Sequence, residues 1–196
     1  MVDGKDAMPT TSQREPRLTY EDFRLFPDDG KRHELIDGVH YVTPSPVLRH
    51  QQLIGRLHLA IGSFLETRPD VGQVFLSPLD TVLSAWDVVE PDLLFVAAEQ
   101  LNILTEVNVQ GAPALVVEVL SPSTRKRDLG IKRQLFERGG VREYWLVDPN
   151  ARALTVYRRS GNGPLSAFVR LSSEDDSTLT TPLLPEFSLS LARLFV

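Results

Sequence analysis

At 196 residues the chain can bury one sizeable core and is short for two, so a single domain is expected. Hydrophobic residues make up 42% and charged residues 24%, and no apolar run approaches the roughly 20 residues of a membrane-crossing helix. The absence of cysteine excludes disulfides, thiolate zinc sites and a cysteine nucleophile, and a net charge of −5 argues against a general nucleic-acid coat while leaving room for a local basic track. Met1 to Pro16 is polar and charged, with Pro9 and Pro16 and no apolar signal-peptide core. It reads as a disordered tail over residues 1 to 17, ahead of a domain over 18 to 196 in a cytoplasmic protein.

Thr19-Tyr20-Glu21-Asp22 is a capping-box-like start for a short helix stopped by Pro27 and Gly30. His33-Glu34-Leu35-Ile36, Asp37-Gly38 and Val39-His40-Tyr41-Val42 spell two strands around a type I′ turn. A longer helix is expected from Ser45, with Pro46 at its first position, an apolar stripe of Leu53, Ile54, Leu57, Ile61, Phe64 and Leu65, and a stop at Pro69. Strand-like runs follow at Val74 to Leu79 and Val88 to Val96, then a short helical connection near Gln100 to Thr105, then a strand over residues 115 to 120. Residues 124 to 138 read as a helix with Leu129, Ile131, Leu135 and Phe136 facing the core and Gly139-Gly140 as its end. A second hairpin spans Glu143 to Val147 and Leu154 to Arg158 around Asp148-Pro149-Asn150, with a further strand at Phe168 to Leu171 inside a polar stretch. Phe187, Leu189, Leu191 and Phe195 near the end are expected to dock on the core. Strands and helices mixed along one chain imply an α/β (α+β) architecture, a mixed central sheet flanked by helices.

Two carboxylates stand in apolar strands. Leu115-Val116-Val117-Glu118-Val119-Leu120 reads as a strand covered on both faces, where an ionised glutamate costs several kcal/mol unless a cation or several donors answer it. Glu90-Pro91-Asp92 sets Asp92 where a strand begins or resumes after a proline that cannot donate to a ladder. Carboxylate oxygens are the ligands that hard divalent cations prefer, so Asp92 and Glu118, with the backbone carbonyl of Val119 and waters, form a candidate metal site. The plainer reading of Glu118 is a buried acid paired with an arginine.

Phosphodiester hydrolysis also calls for a cation near the attacking water or the scissile phosphate. Lys132 is the candidate, on the helix after the Glu118 strand and one helical turn from Asp128, which could hold it as an i, i+4 pair. The plainer reading sets Arg125, Lys126, Arg127, Lys132, Arg133 and Arg138 together on a solvated helix face; on the site reading the run from Arg125 to Arg133 lies beside a phosphate path. Glu34 is a third site acid or a surface residue, since the alternation around it does not fix its direction. His50 and His58 read as capping or packing residues ahead of ligands. No phosphate-binding, dinucleotide, zincin or nucleophile-elbow motif occurs.

Taken in order, the motifs from Leu18 to Arg158 resemble the Uma-two-type family of endonucleases within the PD-(D/E)XK, restriction-endonuclease-like superfamily. They are His33-Glu34-Leu35-Ile36-Asp37-Gly38, Pro44-Ser45-Pro46 with His50, Glu90-Pro91-Asp92, Val117-Glu118-Val119-Leu120-Ser121-Pro122-Ser123, Asp128 with Lys132, and Gly140 to Pro149. The resemblance implies a restriction-endonuclease-like fold and a Mg²⁺- or Mn²⁺-dependent endonuclease acting on DNA. Asp92 would be the aspartate of the Pro-Asp pair and Glu118 the acid of the second half-motif. The superfamily lysine two residues after that acid is replaced by Leu120, which makes Lys132 the substitute from the following helix. Pairing into a homodimer is expected by analogy. Two rival readings use the same fold, a catalytically silent nucleic-acid-binding module and a dimeric scaffold that binds no nucleic acid.

Overall fold

Residues 16–196 are described in the computed structural model of the chain, so the expected tail lies almost wholly outside the described residues. Thr19 caps a four-residue helix, α1 (Tyr20–Phe23), through the reciprocal box with Asp22 that the sequence spells. β1 (Arg32–Ile36) and β2 (Val39–Thr43) form the expected hairpin, with Asp37 at φ 54° and Gly38 at φ 74°, both left-handed as a type I′ turn requires. α2 (Leu48–Thr67) begins later than Ser45 and buries the predicted stripe Leu53, Ile54, Leu57, Ile61 and Leu65. β3 (Gly72–Leu76), β4 (Thr81–Ser84), β5 (Asp87–Val89) and β6 (Leu93–Ala97) follow, then a 3₁₀ turn (Ala98–Ile103), β7 (Val109–Gln110) and β8 (Leu115–Val119). The next helical stretch is α3 (Arg125–Arg127), a π-helical turn (Asp128–Lys132) and α4 (Arg133–Gly139), closed by Gly140 at φ 99°. β9 (Glu143–Asp148), β10 (Ala153–Arg159), β11 (Leu165–Ser172), β12 (Thr178–Thr181), β13 (Leu184–Ser190) and α5 (Leu191–Leu194) complete the chain.

The strands make a six-stranded sheet in the order β11-β10-β9-β8-β6-β3, a five-stranded sheet in the order β2-β1-β5-β4-β7, and the β12-β13 pair. Only β8–β9 is parallel in the larger sheet, so the expectation of a mixed sheet with flanking helices holds. Alternation along β8 gives each face its own core. Leu115, Val117 and Val119 pack with the α2 stripe, Trp145 and the C-terminal Phe187, Leu191 and Phe195. Val116 and Leu120 pack on the other side with Leu135, Phe136, Tyr144 and Ile36.

Two expectations are corrected. The run from Val88 to Val96 is not one strand: it breaks at Glu90-Pro91-Asp92, with β5 in the five-stranded sheet and β6 in the six-stranded one. Leu129 and Ile131 do not face the core; they are exposed, while Asp128 and Lys132 beside them are buried. The π turn is the cause, because one extra residue in a turn rotates the remainder of the helix by about 100° relative to a regular α-helix.

Candidate functional site

The break at Pro91 determines where the acids meet. Pro91 has no N–H for a ladder, so β5 ends and the chain crosses between sheets, leaving Asp92 one residue ahead of β6. β6 and β8 are antiparallel with Leu93 opposite Val117, and continuing that register by one residue sets Asp92 opposite Glu118. Neighbours of this kind carry Cβ atoms about 5 Å apart on one face. Leu93, Val117 and Val119 face α2, so the two acids project from the opposite face.

Asp92 is gripped from three sides. Its Oδ1 accepts from Arg32 Nη1 at 2.9 Å, and its Oδ2 accepts from the Val119 N–H at 2.8 Å and lies 2.9 Å from His50 Nε2. Burial alone would raise this carboxyl, but His50, Arg32 and the Val119 amide outweigh it and hold the group well below the usual carboxylate range. Arg32, at the start of β1, also donates to the Glu90 carbonyl, which fastens the hairpin to the Pro91 crossover.

Glu118 meets a different partner. Lys132 Nζ donates to Glu118 Oε1 at 2.6 Å and to Glu34 Oε1 at 2.7 Å, and the Glu90 N–H also donates to Glu34 Oε1 at 3.2 Å. The lysine is 2% exposed. The π turn aims it inward and takes the place of the expected Asp128–Lys132 pair, since no contact within ion-pair distance joins those two. Burial would lower the Lys132 ammonium, yet Glu118, Glu34 and Asp128 more than compensate and hold it above its ordinary value, charged. Glu34 is fully buried, but Lys132, Arg127 and Arg32 overcome that burial and keep it ionised, below its usual range. Glu118 is pushed well above by burial, with Asp92, Asp128 and Glu34 adding to the rise against Lys132.

All five predicted site residues, Asp92, Glu118, Lys132, Glu34 and Val119, thus lie in one cluster. Asp92, Glu118, Lys132 and Val119 line a cleft of about 440 Å³, whose walls include Pro44, Pro46, Leu120, Pro122 and Pro149. Glu34 stands behind Lys132 and is not on the wall. His50 lines the cleft and lies against Asp92, where packing alone was expected of it; His58 does not line the cleft. The basic run is split, with Arg125 and Lys126 exposed, Arg127 half-buried against Thr43 and Glu34, and Arg138 turned away to Asp37 and Asp87. Sequence reasoning missed Arg32 and Glu90. Burial pushes the Glu90 carboxyl up to about 7, although Arg32 opposes the rise.

Among the described residues no group of three or more histidines and acids is arranged to hold a metal. The donors on offer are the two facing carboxylates and the Val119 carbonyl. A carboxylate has about four lone-pair sites; Asp92 uses three on Arg32, His50 and the Val119 amide, and Lys132 engages only Oε1 of Glu118. Asp128 Oδ1 and Glu34 Oε2 nearby are buried without a hydrogen-bond partner. This donor set fits a hard cation that keeps much of its water, as Mg²⁺ does, and not a closed protein cage.

A family model described as "Uma2: Putative restriction endonuclease" matches residues 20–192. Among solved structures, the chain is similar to "a putative nuclease belonging to DUF820 from Anabaena variabilis", with a TM-score of 0.76 and 21% identity over 91% of this chain and 97% of that one. At that identity the likeness speaks for the fold. No curated protein matches the chain.

Proposed function

The chain belongs to the Uma2 family, and from that premise we propose that residues 18–196 act as one restriction-endonuclease-like domain that hydrolyses DNA phosphodiester bonds with Mg²⁺ or Mn²⁺. The observation that carries this reading is the pairing of Asp92 with Glu118 across neighbouring strands at the floor of a cleft, with the Lys132 ammonium against Glu118. Asp92, Glu118 and the Val119 carbonyl would hold the ion, which when bound polarises a phosphoryl oxygen and lowers the pKa of a coordinated water.

Lys132 takes the part of the lysine that Leu120 cannot supply. Its charge orients the attacking water or steadies charge developing on the phosphate, and Glu34 positions it from behind. Arg32 and His50 fix the Asp92 carboxylate in one orientation, which leaves its remaining lone pair aimed rather than free to rotate. A cytoplasmic protein is expected on this reading, and a homodimer by analogy with related nucleases.

One observation favours a catalytically silent DNA-binding module instead: Asp92, Glu118 and Glu34 are each already engaged by a protein cation. Supercoiled plasmid incubated with protein and Mg²⁺ or Mn²⁺, beside EDTA and Asp92→Ala controls, separates the two. Nicking by the wild type alone, abolished by EDTA, supports the nuclease. Chelator-insensitive binding without cleavage by folded protein supports the silent module.

A further inference from the structure

We propose that the substrate of this site is an unpaired DNA strand and not intact duplex, an inference that rests on the nuclease reading. Its first ground is depth. Asp92 is 2% and Glu118 4% exposed, so a phosphate reaches them only by entering the cleft. The cleft, about 440 Å³, falls within the size range of small-molecule pockets and has room for about one nucleotide.

The second ground is the bracing of the mouth. Its walls come from three segments, residues 43 to 47 running into α2, residues 121 to 124 running into α3, and the Pro149-Asn150 turn. Three arginines join these segments in a closed ring. Arg49 Nη2, on α2, donates to the Pro149 carbonyl at 3.1 Å, and Arg125 Nη1, on α3, donates to Asp148 Oδ2 at 2.8 Å beside the same turn. Arg127 Nη2 closes the ring by donating to Thr43 Oγ1 at 2.6 Å. Prolines in every wall, each with a fixed φ, stiffen it further.

A duplex holds its phosphates on a stiff rod that cannot bend one of them into such a ring. Drawing a nucleotide out of a stacked duplex costs unpairing and unstacking energy, least where it is already unpaired or bulged. An unpaired strand can loop in, laying a base along the proline-lined wall while the exposed guanidiniums of Arg49 and Arg125 meet the flanking phosphates at the rim. Contacts of this kind to base faces and backbone are indifferent to sequence.

The test compares, in Mn²⁺, circular single-stranded DNA, relaxed closed duplex of the same sequence, and that duplex carrying an unpaired bulge. The single strand and the bulge should be cut about 100-fold faster than relaxed duplex, the factor that unpairing and unstacking imposes. Relaxed duplex cut as fast as the single strand overturns the strand preference and leaves the nuclease standing. No cleavage of any substrate by folded protein overturns both. Arg49→Ala opens the ring and should raise the duplex rate relative to the single-strand rate; a ratio unchanged from wild type would show that the ring is not what excludes duplex, and would overturn the proposal.

Discussion

Lys132→Met keeps the aliphatic stem and removes the charge, which isolates what the ammonium does. Glu34 is fully buried and Glu118 is 4% exposed, so neither carboxylate can turn to water when its partner disappears. Breaking a buried pair from one side costs about 3–5 kcal/mol. For a chain of this length that is a fall in Tm of about 10 °C. The cost has a definite dependence on pH. In the wild type Lys132 holds Glu34 below its unfolded value, so that contribution is present above the unfolded value and fades as pH falls through the folded one. In the variant Glu34 loses its main counter-charge and Glu118, already raised in the wild type, rises further, so stability is greatest where they are protonated and declines as pH rises. Urea unfolding at about pH 8 and about pH 5 should therefore show a large gap between wild type and variant at the higher pH and a small one at the lower. Equal stability at the higher pH, or a gap that does not narrow on acidification, would refute the assignment of a charged ammonium between two buried acids.

Glu90, raised by burial to about 7, destabilises the fold as pH climbs from its unfolded value through neutrality. Glu90→Gln should gain about 1–3 kcal/mol over wild type near pH 8 and nothing near pH 5, read from the same urea midpoints. Arg158→Met strands the Glu143 carboxylate, which is 1% exposed and accepts from Arg158 Nε at 2.6 Å and Trp145 Nε1 at 2.8 Å. A loss of about 2–3 kcal/mol is expected, recovered in large part by Glu143→Leu in the same chain. Leu57→Ala removes a fully buried side chain from the α2 stripe and should lower the unfolding free energy by about 2–5 kcal/mol with an unchanged slope against urea.

The two acids were legible in the sequence because apolar neighbours leave a carboxylate no solvated face to occupy. Both hairpins, the α2 stripe and the Thr19 cap were legible for the same local reason: turn chemistry and periodicity sit within a few residues of one another. Glu34 was ambiguous because β1 is covered on both faces, with Glu34, Leu35 and Ile36 all buried, so alternation carried no signal. Arg32 looked like any basic residue at a strand start; its value comes from Glu90 and Asp92, about sixty positions away, and nothing local announces such a pair. His50 was discounted on the same ground. Leu129 and Ile131 misled because regular helical spacing was assumed across a turn that is not regular. The split of residues 88 to 96 between two sheets was foreshadowed by Pro91, whose missing N–H marks an interruption without saying where the chain goes next.

The π turn makes the position of the ammonium a matter of counting. Between Arg125 and Gly139 the helix carries one residue more than a regular spiral needs, and that surplus brings Lys132 to Glu118. Gly130 sits inside the surplus, and a Cβ there would meet nothing within 4 Å. A relative that lacked one residue at this point would keep its caps, its Gly140 stop and its sheets, yet would turn the lysine toward water and an apolar side chain toward the acids. The fold and the placement of the ammonium are thus separable here by a single codon.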